Sequence, residues 1–138
     1  MDRKTMNPAT KPIRIVIAGN CYPDNQAIKR LLTQCIPAPA EIQFVDSAAE
    51  LKAALSAATI TLVIVNRIFD VTGENGVETI RNLKSSDANT QTNLMLLSNY
   101  EWAQDEAIAA GAIGGFGKSS LNAEATKAMI RQAIGISS

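Results

Sequence analysis

The sequence predicts an α/β protein built on an open parallel β-sheet with helices on both faces. Short apolar segments typical of buried strands alternate with segments whose apolar residues recur at helical spacing, five of each. The links between successive strands are too long for hairpins, which favours parallel pairing through crossover helices. The 138 residues fit one domain, which we place at residues 12–138 after a polar segment at 1–11, interpreted as a mobile tail.

The strand that organises the prediction is the run of β-branched and aliphatic residues at 61–65, which ends in the amide of Asn66. Such a run is typical of a strand that is buried on both faces. In an open parallel sheet, ligands and chemistry collect at the carboxyl ends of the strands. Asn66 therefore lies where a functional site is expected.

The other elements follow from their own patterns. Four further apolar runs predict strands, at residues 13–18, 42–45, 93–98 and 112–116. The first helix follows a turn at 22–24 and is stopped by Pro37. Ser47 and Glu50 form a capping box that predicts the start of the second helix.

The last three helices differ in their inward faces. The third covers residues 76–84, and the fourth covers about 102–110, with alanines inward and Gly111 as its C-cap. The fifth is predicted from residues at positions i, i+4, i+7 and i+8, namely Leu121, Ala125, Ala128 and Met129.

Composition excludes several classes of function. Thirteen basic residues balance 13 acidic ones, so no net field favours nucleic acid or an anionic membrane surface. The chain has no histidine and only two cysteines, which excludes zinc clusters and histidine general-base catalysis. Residues 1–11 contain no apolar run, so we expect neither a signal peptide nor a membrane span, and a cytoplasmic location.

Three short motifs carry a resemblance to a known family. These are Ser98 at the end of the fourth strand, the segment from Gly111-Ala112 to Lys118, and Gly76-Val77-Glu78 at the start of the third helix. With the order of elements over residues 12–135, they make the sequence similar to the receiver domain of two-component response regulators (CheY-like). The resemblance implies a doubly wound, flavodoxin-like (βα)5 fold with strand order 2-1-3-4-5 and a role in phosphorelay signal transduction rather than an enzyme activity.

The differences from the family fall on its chemistry. Receivers carry an acidic pair where this chain has Gly19 and Asn20, and a phospho-accepting aspartate where it has Asn66. The family's aromatic switch residue is replaced by Gly115, while Ser98 and Lys118 are retained family positions. Since Mg²⁺ requires carboxylates and phosphoryl transfer requires an oxygen nucleophile, we expect no Mg²⁺, no cofactor and no phosphorylation. The sequence therefore predicts a degenerate pseudo-receiver that acts as a protein-interaction module.

The retained lysine poses an electrostatic problem. An ammonium in a partly buried crevice without a carboxylate nearby is costly. Asp70 could reach Lys118, an adventitious anion could bind Lys118 and Ser98, or the lysine could turn to solvent or pair with another acid. The sequence leaves these alternatives open.

The partner of such a module is expected to be another signalling protein or a second copy of the chain, with no role for nucleic acid or membrane. By resemblance, the contact surface comprises the fourth helix, fifth strand and fifth helix. Tyr100, Trp102 and Phe116 are the candidate contact residues. An exposed Trp102 beside an alanine-faced helix would be a suitable interface anchor, but Trp102 could equally fold over the helix edge onto the core.

Three other functions remain as alternatives. Asp70, with Glu74, could serve as a displaced phosphoacceptor and metal ligand, although such a relocation disrupts in-line geometry. A flavodoxin-like domain could bind a cofactor. The segment 112–119 also fits a loose phosphate-binding loop, but only 19 residues follow it, which disfavours nucleotide binding.

Overall fold

The computed structural model describes residues 12–37, 40–86 and 91–136. Its strands are β1 (Ile13–Ala18), β2 (Ala40–Val45), β3 (Leu62–Asn66), β4 (Asn93–Leu97) and β5 (Ile113–Phe116). Its helices are α1 (Tyr22–Cys35), α2 (Ala48–Ala57), α3 (Gly76–Lys84), α4 (Glu101–Ala109) and α5 (Glu124–Ala133). The segment at 1–11, predicted to be a mobile tail, lies outside the described residues.

The five strands form one parallel sheet in the order β2-β1-β3-β4-β5, which confirms the predicted fold class. Two hydrophobic layers cover its faces. The central strand β3 contributes to both, because Val63 and Val65 point into one layer while Leu62 and Ile64 point into the other. All four side chains are fully buried, as expected for a strand covered by helices on both sides.

Side-chain caps fix the starts of two helices. The Ser47 hydroxyl accepts a hydrogen bond from the Glu50 backbone N–H at 3.0 Å, which confirms the predicted cap of α2. At the start of α3, the side-chain oxygen Oδ1 of Asn75 accepts from the Glu78 N–H at 3.0 Å. Caps of this kind stabilise a helix by about 1 kcal/mol.

Two predicted details of the helices are wrong. The predicted turn at 22–24 is the first turn of α1, where Pro23 is tolerated because its missing N–H has no intrahelical partner. The predicted stripe of α5 is also out of phase: Ala125 and Ala128 are exposed, whereas the buried residues are Thr126, Ile130 and Ala133. A 3₁₀ turn at Lys118–Ser120 precedes α5, so Leu121 lies before the helix and does not define its inward face.

Among the described helices, none has the length and apolar character needed to cross a membrane.

Candidate functional site at the carboxyl edge of the sheet

Asn66 and the two retained family positions, Ser98 and Lys118, share one cleft at the carboxyl edge of the sheet. Asn66 ends β3, Ser98 follows β4 and Lys118 follows β5, and all three line a cavity of about 320 Å³. A larger cavity of about 600 Å³ lies between β2 and α2, but it contains none of the predicted site residues. The carboxyl-edge cleft is therefore the candidate site.

The side chain of Asn66 is held by two backbone carbonyl groups. Its Nδ2 donates to the Gly19 oxygen at 2.9 Å and to the Ile68 oxygen at 2.8 Å. The orientation of the amide is fixed by these contacts, because a flipped amide would place Oδ1 against two acceptors. The neutral amide group therefore donates to two carbonyl oxygens of the type that could otherwise serve as ligands of a cation.

The Gly19 oxygen also accepts from the Asp70 backbone N–H at 2.9 Å, so both of its lone pairs are engaged. At Gly19 the backbone has φ = +86°, and an added Cβ would lie 2.7 Å from the ring of Phe69. Phe69 is only 1% exposed and forms part of the core. The position that matches the first acid of the family's pair is consequently closed to any side chain unless this ring moves.

The residues at this edge do not fit a divalent cation. Mg²⁺ is bound through carboxylate oxygens, and the positions that match the family's three acids present Gly19, Asn20 and Asn66. Asn20 is buried, and its Nδ2 turns back toward the Ala18 oxygen at 3.5 Å. Over the described parts of the chain, no group of three or more histidine, cysteine, aspartate or glutamate residues is placed to hold a metal ion.

Lys118 pairs with an acid that the sequence reasoning missed. Its Nζ lies 2.5 Å from Oδ2 of Asp24, which is in the first turn of α1. This hydrogen bond is the main reason that the pKa of Asp24 lies below its usual value. Asp70 does not make this contact but lines a different cavity. The sequence signal that could have identified it is a carboxylate soon after the end of β1, in the first turn of the helix that follows.

A glutamine from α4 occupies the gap between β4 and β5. The Nε2 of Gln104 donates to the Leu96 oxygen at 2.9 Å and the Ser98 oxygen at 3.1 Å, while its Oε1 accepts from the Gly115 N–H at 3.1 Å. A Cβ at Gly115 would lie 2.2 Å from the Leu96 oxygen. Gly115, predicted to replace the family's aromatic switch residue, is therefore packed against backbone, and no sequence pattern marks Gln104 as part of the site.

The segment after Lys118 is also held by side chains. Asn99 Oδ1 accepts from the Ser119 N–H at 3.1 Å and from the Ser119 hydroxyl at 2.9 Å. A Cβ at Gly117 would lie 1.8 Å from the same oxygen. The Ser98 hydroxyl oxygen accepts from the Tyr100 N–H at 3.1 Å, which ties it to the start of α4.

Three residues at the mouth of the cleft form a surface patch, called here the aromatic patch: the half-buried Arg67 and the exposed Tyr100 and Trp102. The two rings stack with centroids 5.6 Å apart, and the Arg67 guanidinium lies 5.1 and 5.5 Å from their centroids. Tyr100 is 52% exposed and Trp102 54%. Phe116, the third predicted contact residue, is buried in the core beneath the sheet, so its prediction as a partner contact is wrong.

The acids of the β3–α3 loop have separate surroundings. Glu74 accepts from the Ala48 N–H at 3.0 Å and from the Thr72 hydroxyl at 2.8 Å, which joins this loop to the start of α2. The hydrogen bond from Ala48 is the main cause of the lowered pKa of Glu74. Asp70 is exposed. Glu74 therefore has a structural contact and does not form a site with Asp70.

The strand order, with helices on both faces, defines a doubly wound, flavodoxin-like α/β protein. No protein-family model matches the sequence, and no curated protein matches it. Solved receiver domains of response regulators superpose on this structure over nearly their whole length. The chain therefore has the receiver-domain fold.

The signal receiver domain of a DNA-binding response regulator from Colwellia psychrerythraea 34H is 19% identical, with a TM-score of 0.74 over 89% of this chain and 98% of that one. A putative response regulator from Chloroflexus aurantiacus J-10-fl is 13% identical, with a TM-score of 0.77 over 91% and 99%. A response regulator from Thermotoga maritima is 18% identical, with a TM-score of 0.72 over 91% and 99%. At these identities the similarity establishes the fold.

Proposed function

We propose that this protein is a pseudo-receiver of a two-component system: it keeps the receiver fold, does not accept a phosphoryl group and acts by binding another signalling protein. The observation that carries the proposal is the amide of Asn66, whose Nδ2 is bonded to the Gly19 and Ile68 carbonyl oxygens. The same conclusion implies a non-enzymatic, Mg²⁺-independent module, which we place in the cytoplasm.

Phosphoryl transfer needs an oxygen nucleophile in line with the phosphorus and a cation on the equatorial oxygens. Asn66 offers a weakly nucleophilic amide, and the Gly19 oxygen beside it already accepts two hydrogen bonds. Lys118, the cation retained from the family pattern, is paired with Asp24, and Arg67, which also lines the cleft, packs against the rings of Tyr100 and Trp102. The cleft therefore supports neither the oxygen nucleophile nor the bound metal ion that the reaction requires.

Binding is assigned to the aromatic patch. Tryptophan, tyrosine and arginine are the residue types that contribute most often to interface hot spots, and all three are adjacent here. The Arg67 guanidinium has no hydrogen bond or ion pair within the described residues, so its donors remain available to a partner's acidic group. The partner of this surface is another signalling protein that presents an acidic side chain beside an apolar one.

Phosphorylation is tested by incubating the protein with acetyl phosphate and Mg²⁺ and measuring its intact mass, beside an ordinary receiver treated identically. We expect no added phosphoryl group, and no spectral change with beryllofluoride. A covalent phosphate on Asp70 would establish the displaced-acceptor alternative instead. The absorbance spectrum of the purified protein tests the flavodoxin-like alternative, since a bound flavin would colour the preparation.

Partner binding is tested by affinity capture with four proteins: wild type, Arg67→Ala, Trp102→Ala and Tyr22→Ala. Tyr22 is 74% exposed and lies on α1, so its truncation removes an aromatic side chain outside the patch. A partner that is captured by wild type and Tyr22→Ala but lost with both patch variants supports the proposal. Capture that is unchanged in the patch variants would remove this surface from it.

A further inference from the structure

The carboxyl edge of the sheet carries two charges of opposite sign on one loop. Arg67 and Asp70 both belong to the segment between β3 and α3, and neither side chain has a hydrogen bond or ion pair within the described residues. The Arg67 backbone N–H donates to the Leu97 oxygen at 3.3 Å, whereas the Asp70 backbone N–H donates to the Gly19 oxygen at 2.9 Å. Arg67 is thereby held at the end of β4 and Asp70 at the end of β1.

These two positions lie symmetrically about the central strand. The order β2-β1-β3-β4-β5 places β1 and β4 directly on either side of β3, each about 4.8 Å from it. A two-fold axis that lies along this edge, perpendicular to the sheet and passing the end of β3, therefore exchanges the β1 and β4 positions. A second copy placed on the edge by this axis brings the Arg67 of each copy opposite the Asp70 of the other.

Exposed apolar side chains accompany both charges. Six large hydrophobic side chains are exposed within the described residues, and four of them come from the β3–α3 loop and the start of α4: Ile68, Val71, Tyr100 and Trp102. Val71 follows Asp70 in the chain, and the two aromatic rings pack with Arg67. The same axis would set an acid and its apolar neighbour against the aromatic patch. Single exposed apolar residues are ordinary, but a cluster of them marks an interaction surface.

We propose that this protein forms a two-fold symmetric dimer through the carboxyl edge of its sheet, with the Arg67 of each copy paired with the Asp70 of the other. The inference rests on the proposed function, whose binding surface it keeps, and identifies the molecule that meets the aromatic patch as a second copy of this chain. The charges select this partner, because two copies in opposite orientations complement each other at both positions. No aspartate or glutamate lines the 320 Å³ cleft beside Arg67, and Lys118 is already paired with Asp24.

The oligomeric state is measured by sedimentation over a series of protein concentrations. We expect the weight-average mass of wild type to rise with concentration from that of one chain toward that of two. Arg67→Asp and Asp70→Arg should each weaken self-association about tenfold, because each dimer exchanges two ion pairs for two like-charge contacts. Lys52→Asp, at an exposed site on α2 with the same change of charge as Arg67→Asp, should associate as wild type does.

Mixing the two charge-reversed variants tests the symmetry of the contact. In a dimer of one Arg67→Asp copy and one Asp70→Arg copy, both contacts again join opposite charges. An equimolar mixture should therefore regain association close to that of wild type, although neither variant associates well alone. Circular dichroism spectra that match the wild type show that each variant is folded.

Three results would overturn the inference: a wild-type chain that stays monomeric, self-association that neither charge reversal weakens, or a mixture of the two variants that stays monomeric. These results do not touch the proposed function, because capture of a different protein by the aromatic patch is measured separately. Failure of the proposed function has its own signature, a covalent phosphate on the chain, which the intact mass reveals independently of the oligomeric state.

Discussion

Replacing Asn66 by aspartate is the sharpest test of the site. The substitution introduces the acid that the receiver resemblance implies, yet it reverses the hydrogen-bonding character of the group at the end of β3. In the wild type, Nδ2 donates to the Gly19 oxygen at 2.9 Å and to the Ile68 oxygen at 2.8 Å. An aspartate carboxylate places an acceptor against the same two acceptors, so both hydrogen bonds are lost and the oxygens repel.

The size of the effect follows from the number of bonds. Each lost hydrogen bond costs about 1 kcal/mol, and the Gly19 oxygen keeps its bond from the Asp70 N–H, so we expect a loss of about 2 to 3 kcal/mol at neutral pH. For a domain of this size, that corresponds to a decrease of about 10 °C in Tm.

The variant should also acquire a characteristic pH dependence. The two carbonyl dipoles disfavour the carboxylate, so the pKa of the new acid is raised on folding. Its protonated form can donate one hydrogen bond. Relative to wild type, the variant is therefore least destabilised below the unfolded pKa of about 3.9, and the loss grows as pH rises through the folded pKa.

The assay is urea unfolding of wild type, Asn66→Asp and Asn122→Asp, each with and without millimolar Mg²⁺. Asn122 is exposed just before α5, so the same chemical change there should alter stability by less than about 0.5 kcal/mol. Mg²⁺ should not restore Asn66→Asp, because Gly19 and Asn20 add no carboxylate. A fully stable Asn66→Asp variant, or recovery of its stability by Mg²⁺, would refute the reasoning.

Three further predictions concern stability. Gly115→Ala should lose about 2 kcal/mol in urea unfolding, because its Cβ would lie 2.2 Å from a β4 carbonyl oxygen, whereas Gly114→Ala, with no atom within 4 Å of its Cβ, serves as a tolerated control. The lowered pKa of Asp24 means that its pairing with Lys118 adds stability above the unfolded pKa of 3.8 and loses it as pH falls through the folded pKa. Asp24→Asn should abolish that component, worth less than about 1 kcal/mol between two partly exposed groups, in unfolding curves recorded across acidic pH. Ser47→Ala should lower the unfolding free energy by about 1 kcal/mol, and an unchanged midpoint would contradict the cap assignment.

The fold class was predictable because the signals for its strands and helices are local, whereas the strand order followed from the resemblance to receiver domains. A buried parallel strand requires a continuous apolar run, and the run at 61–65 has no other plausible role in a chain of this size. The carboxyl ends of such strands meet at one edge, which was sufficient to place Asn66, Ser98 and Lys118 together. Helix starts were predictable where a side chain caps them, as at Ser47.

The contacts within the site were not predictable, because backbone atoms make most of them. Asn66 bonds to a carbonyl oxygen 47 residues away, and every residue type offers such an oxygen. Glutamine is common on the exposed surfaces of helices, so Gln104 alone does not indicate a buried contact. Its contacts depend on the irregular register between β4 and β5. The contact of Asp24 was not predictable for a different reason: the sequence around Pro23 predicts a turn, whereas a helix begins there.

These contacts also bear on how such a protein can signal. A phosphorylation switch requires two arrangements of similar free energy, which a charged group at the active site then biases. Here neutral side chains occupy the positions where the resemblance would place the family's carboxylates and aromatic switch residue. These are the amide of Asn66, the Phe69 ring beside Gly19 and the side chain of Gln104. Each contact favours one arrangement, so restoring a single acid should not restore switching. Under the proposed function, regulation would depend on the concentration and affinity of the partner.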